Sequence, residues 1–176
     1  MPDQIVTKGI PHKKLAPILD RLKNRVFKHK VVKDMLKKYK VDEEELDLIP
    51  MCFAKLPVSA RTDHGVIYIN IDLAKDGNLD DDDHYISHEL THVLQQTTGS
   101  KPTPGSTEEN YLDNPVEQEG FRNQTKYIAD TQGEEVAEDY IDKVLDHHNN
   151  SDADDEKRED RRDKLLAIAR QFGVSI

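Results

Sequence analysis

The sequence predicts an α+β fold: a small antiparallel sheet followed by two long helices, with helical extensions at both ends. Three observations predict it. Short apolar runs between Leu48 and Ile71 are broken by Pro50, Pro57 and Gly65, as strands and tight turns require. The stretch from about Asp83 to Gln96 has uncharged flanks around its polar residues and no helix breaker, the pattern of a mostly buried helix. Finally, Leu15, Ile18, Leu19, Leu22 and Val26, and then Val31, Val32, Met35, Leu36 and Tyr39, recur at helical spacing near the N-terminus.

A length of 176 residues suits one domain with extensions. We divide it into a basic helical extension (1–40), a core (41–148) and a charged C-terminal helical extension (149–176). Apolar residues make up 35% and charged residues 34%, so the core must be small. Residues 1–40 hold 12 Lys or Arg against 3 Asp or Glu, net +9, whereas the remainder holds 13 against 32, net −19. The basic outer faces of one bent or two short N-terminal helices read first as a solvated surface that can dock on the acidic remainder of the chain, with a nucleic-acid or membrane-surface patch as the alternative. No helix-turn-helix pattern is present and the only aromatics there are Phe27 and Tyr39, which argues against nucleic acid. Neither an apolar run near 18 residues nor a charged-then-apolar leader is seen, which argues against a membrane span and a signal peptide. The expected location is cytoplasmic, or outside the cell by a route that needs no such peptide. The single cysteine, Cys52, rules out an internal disulfide and a cysteine-based zinc finger.

Within the core, Leu48 to Ala54 reads as a buried strand. Val58–Arg61 and Val66–Ile71 read as a strand pair joined through Thr62-Asp63-His64-Gly65, with Gly65 free to adopt a left-handed conformation. Asp80 to Asp83 then favour a helix N-terminus by capping amides and meeting the positive end of the dipole; the ligand spacing of a calcium loop is absent. Residues 97–113, with two Pro and two Gly, form a long loop. Asn114 and Pro115 open a helix reaching about Ala129. A further helix, Glu134 to His147, carries an apolar stripe of Val136, Tyr140, Ile141 and Val144, and a charged helix ends near Phe172.

The chemistry centres on His88-Glu89-Leu90-Thr91-His92. Two histidines four apart on a helix stack on one face and can close on a single Zn²⁺, while the carboxylate between them can act as general base on a zinc-bound water. His84 continues the same stripe one turn earlier and is read as a rim residue. The bland alternative is a core helix whose histidines are merely hydrogen-bonded, but burying two His and a Glu would then require a partner for each.

HELTHVLQQ, His88 to Gln96, resembles the active helix of the HExxH zinc metallopeptidases, the zincins, and most of all the small HELTH-type peptidase-like domains of bacteria and phages. The resemblance covers about Leu48 to Asp130. It implies a zincin-like fold, a peptide or protein substrate, and a third ligand. The metzincin pattern is excluded, because Gln95 and Thr98 stand where it has Gly and His. The gluzincin branch takes a Glu from a second helix, and Asn114-Pro115-Val116-Glu117 with Gly120 has that form, so Glu117 is the implied ligand. Glu119 is its rival, since Asn114 and Glu117 also have the spacing of a capping box. Phe121 stands where the family often has an Asp that orients a ligating histidine. Tyr111 corresponds in role to a phenol that stabilises the oxyanion in some gluzincins, with His64 and Arg122 as lesser candidates.

The function expected from this reading is zinc-dependent hydrolysis of peptide bonds, with Glu89 as base and His88, His92 and Glu117 as ligands. The competing reading is a non-catalytic, zinc-stabilised interaction module of a virion, an injection system or a regulatory assembly, with a protein partner at the charged helical ends.

Overall fold

A computed structural model describes residues 5–75, 79, 81–98, 115–148, 159 and 162–163. The chain is α+β and divides into two compact units, Met1–Lys101 and Pro102–Ile176. No helix among the described residues is long and apolar enough to cross a membrane.

The first unit opens with two helices, α1 (His12–Phe27) and α2 (Lys30–Tyr39). They separate at His29, whose Nδ1 accepts the Val31 amide at 3.1 Å and so caps α2. Lys40 closes α2 in the left-handed region, φ 56°. The apolar stripe is buried at Leu22, Val26, Phe27, Val31, Val32, Met35 and Leu36. This stripe packs α1 onto β1 (Met51–Ala54) and both helices onto α4 (His84–Thr97), leaving the lysines outside. Burial of these side chains supplies most of the helices' stability, because helices this short are marginal alone.

A 3₁₀ turn, Glu43–Leu48, leads into the sheet, and here the structure departs from the sequence reading. Leu48 is 80% exposed rather than part of a buried strand, and β1 begins only after Pro50. Strands β2 (Ala60–Asp63) and β3 (Val66–Asn70) form an antiparallel hairpin as expected, but β2 lies two residues later than the expected Val58–Arg61, so Thr62 and Asp63 are paired in the strand, opposite Ile67 and Val66. Its loop is two residues, His64 and Gly65, with φ of 48° and 78°. Positive φ at both positions is the turn that matches strand twist, and Gly65 adopts it without steric cost.

The expectation of an all-antiparallel sheet is corrected. The strand order is β1-β3-β2, and β1 runs parallel to β3, with Met51 opposite Ile67 and Phe53 opposite Ile69. The segment after β1 carries the chain past the central position, β2 forms the edge, and the tight hairpin returns β3 into the gap. Phe53, Ala54, Ile67 and Ile69 are buried. A short helix, α3 (Ile71–Lys75), follows, and α4 then packs against β2 and β3.

The second unit contains α5 (Pro115–Gln132) and α6 (Glu134–His148), joined through Gly133 at φ 103°. Tyr127, Ile128, Ala137, Ile141 and Leu145 make its core, and Gln124 Nε2 donates to Tyr140 Oη at 2.7 Å. Ile141 and Val144 of the expected stripe are buried, but Val136 is 39% exposed. Arg162 Nε donates to Asp142 Oδ1 at 2.8 Å. Most of the expected C-terminal helix lies outside the described residues.

Candidate metal site

The site is built on α4. A helical spacing of four stacks His88 and His92 one turn apart, and their ring centroids lie 4.8 Å apart at 74°, edge to face. His88 and Glu89 are buried and His92 is partly open. The helix tolerates so many polar residues because its small hydroxyls turn inward to its own backbone. Ser87 Oγ donates to the His84 carbonyl at 2.6 Å, and Thr91 Oγ1 to the Ser87 carbonyl at 2.9 Å. These bonds leave the helix interior satisfied without help from the histidines.

The carboxylate of Glu89 is held from outside the helix. Thr62 Oγ1, on the edge strand β2, lies 2.6 Å from Glu89 Oε2 and 3.0 Å from the Glu89 backbone carbonyl oxygen. The shorter contact has the length of a hydroxyl donating to a charged carboxylate.

His92 is oriented from within the helix. Its Nδ1 lies 2.9 Å from Gln95 Oε1, and Gln95 is buried. A carboxamide oxygen only accepts, so this contact suits the tautomer that carries its hydrogen on Nδ1. Gln95, one turn along the same helix, thus orients the His92 ring.

His84 is buried beside Tyr85, with centroids 4.3 Å apart. Burial, with the neighbouring His88 adding to it, pushes its imidazole down to about 3, so it is neutral at physiological pH. Just before α4, Asp83 makes no capping hydrogen bond. Its Oδ2 instead pairs with Arg25 Nε of α1 at 3.0 Å. One expected capping carboxylate is therefore an anchor between helices.

Glu117 lies in the first turn of α5, and both it and Glu119 are half-buried. The donor types of His88, His92 and Glu117, two imidazoles and a carboxylate, could hold a metal ion. Gly120 and Phe121 are buried. Asn114 and Tyr111 fall outside the described residues. His64 is exposed in the hairpin loop, with its Nδ1 2.8 Å from Asp63 Oδ1. Arg122 is half-buried on α5.

Sequence reasoning missed Thr62 and Gln95 as parts of the site. Gln95 was within reach of it, since position i+3 from His92 shares its helix face. Thr62 was not, because the sequence reading places it in the turn with Asp63, His64 and Gly65, whereas it belongs to β2 and so to the sheet that α4 packs on. No protein-family model matches this chain, and no match is found among curated proteins or solved structures.

Proposed function

We propose that the protein is a zinc-dependent metallopeptidase of the HExxH type, with His88, His92 and Glu117 as ligands and Glu89 as general base. The observation that carries this reading is the state of Glu89. It is a buried acidic side chain between His88 and His92 in the sequence of one helix, with one oxygen already engaged by Thr62. A metal held only to stabilise a fold by two imidazoles and one carboxylate has no use for a second carboxylate kept in place.

The donor set suits zinc in particular, since nitrogen and carboxylate donors leaving one position open are the usual catalytic arrangement. Bound there, zinc would supply Lewis acidity that makes water a nucleophile at neutral pH and polarises a scissile carbonyl. The chain's own part is proton transfer and positioning. Glu89 takes a proton from the attacking water as the carbon–oxygen bond forms, then delivers it to the amine nitrogen as the carbon–nitrogen bond breaks. Gln95 keeps the His92 ring in the tautomer that presents Nε2. The outer edge of β2 is where an extended peptide would pair by backbone hydrogen bonds, as β2 ends the sheet and contacts α4.

The test is cleavage of a pooled peptide library by the zinc-loaded protein beside Glu89→Gln. Loss of a general base is expected to slow turnover by about 10²–10⁴-fold while zinc is retained. Equal cleavage by both proteins would refute the role of Glu89. No cleavage by a zinc-loaded wild type would favour the interaction module.

A further inference from the structure

We propose that Thr62 is the positioning residue for Glu89: its hydroxyl fixes the carboxylate in the orientation from which it can exchange a proton. The inference rests on the peptidase reading and names what makes its base competent.

The geometry is built to be rigid. A glutamate side chain has three rotatable bonds, and a base displaced by about 1 Å can lose roughly 10²-fold in rate. Thr62 removes that freedom at the far end of the side chain, with Oγ1 at 2.6 Å from Oε2. Threonine is suited to the task because branching at Cβ leaves few χ1 rotamers, so its hydroxyl is aimed before the contact forms. Its backbone is equally constrained. Thr62 pairs with Ile67 of β3, which is fully buried, and stands two residues before the two-residue turn that sets the hairpin register. The Glu89 backbone carbonyl oxygen is 3.0 Å from the same hydroxyl, so the one hydroxyl hydrogen lies between two acceptors of the same residue, the nearer being Oε2. Thr62 engages one carboxylate oxygen, Oε2, and thereby fixes the rotation of the whole group. It touches no reacting atom and acts through Glu89 alone.

Thr62→Val keeps the shape and removes the hydroxyl, whereas Thr62→Ser keeps the hydroxyl and loses the stiffness. Both are compared with wild type in the zinc-loaded protein for zinc content, kcat and KM on a peptide substrate. A cycle of Thr62→Val and Glu89→Ala is measured in parallel by urea unfolding. We expect Thr62→Val to retain zinc and to lose about 10–100-fold in kcat with KM nearly unchanged, and Thr62→Ser to recover most of the loss. The cycle should show coupling of about tenfold or more in the folding constant, as for a hydrogen bond to a charged group. Wild-type kcat in Thr62→Val, a serine variant as slow as the valine one, or the absence of coupling would each overturn the proposal. A zinc-loaded wild type that cleaves nothing overturns the peptidase reading, and with it the catalytic role of Thr62. The unfolding cycle then decides the Thr62–Glu89 contact by itself.

Discussion

His92 Nδ1 and Gln95 Oε1 are 2.9 Å apart, one helical turn from each other on α4. For a metal-ligating His92 this contact would favour Nε2 as the ligand atom. A ligating histidine whose second nitrogen donates to a fixed acceptor is both oriented and more basic, and loss of such a contact typically costs 10–100-fold in metal affinity. Gln95→Leu should therefore bind zinc about 10–100-fold more weakly in a competition titration with a chromophoric chelator, with the helix content unchanged. Gln95→Glu, which keeps an acceptor at that place, should retain most of the affinity.

Arg25 and Asp83 make the second structural claim. The Asp83 side chain is fully buried while Arg25 is 42% exposed, so the pair is neither a surface ion pair nor a closed one. Weakening the compensation of a buried carboxylate can cost 3–5 kcal/mol, and the exposure of the arginine reduces that. Arg25→Ala should lower stability by about 2 kcal/mol in urea unfolding, and Asp83→Asn by somewhat less, since it leaves no buried charge. A pure capping role for Asp83 would leave Arg25→Ala almost neutral.

His84 gives the protein an acid sensitivity of known sign. Its folded value of about 3 lies below the ordinary 6.5, so below pH 6.5 the unfolded chain binds a proton that the folded chain refuses. The stabilising contribution is complete above pH 6.5 and falls away as pH drops toward 3. The slope for one such group is about 1.4 kcal/mol per pH unit. In chelated protein, the stability lost between pH 6.5 and 5 should be smaller in His84→Gln than in wild type by about 2 kcal/mol. Parallel curves for the two proteins would contradict the assignment.

The parts of this structure that were legible in the sequence are those where one local rule dominates. Helix α4 was expected over Asp83 to Gln96 and spans His84–Thr97, because a run of uncharged flanks around His88 and His92 admits no other element. The hairpin was legible from Gly65, whose missing Cβ permits the turn. Pairing partners were not legible. The alternation in Val66–Asn70 gives its two faces but not its neighbours, so the parallel placement of Met51–Ala54 beside it could not be read. Leu48 shows the limit of hydrophobicity alone: the acidic residues before it and Pro50 after it favour a 3₁₀ turn that leaves it outside. The contacts of Arg25 with Asp83 and of Thr62 with Glu89 join residues 58 and 27 positions apart, a relation that only the fold creates.

The central claim is that His88, His92 and Glu117 hold one zinc ion, and it is tested most directly by elemental analysis of protein purified without added metal. Wild type, His92→Ala, Glu117→Ala and Glu119→Ala are measured together. Close to one zinc per chain is expected in wild type and in Glu119→Ala, and little in the other two. A wild type that holds no zinc even after it is supplied, or a Glu117→Ala variant with full zinc beside an empty Glu119→Ala, would contradict it.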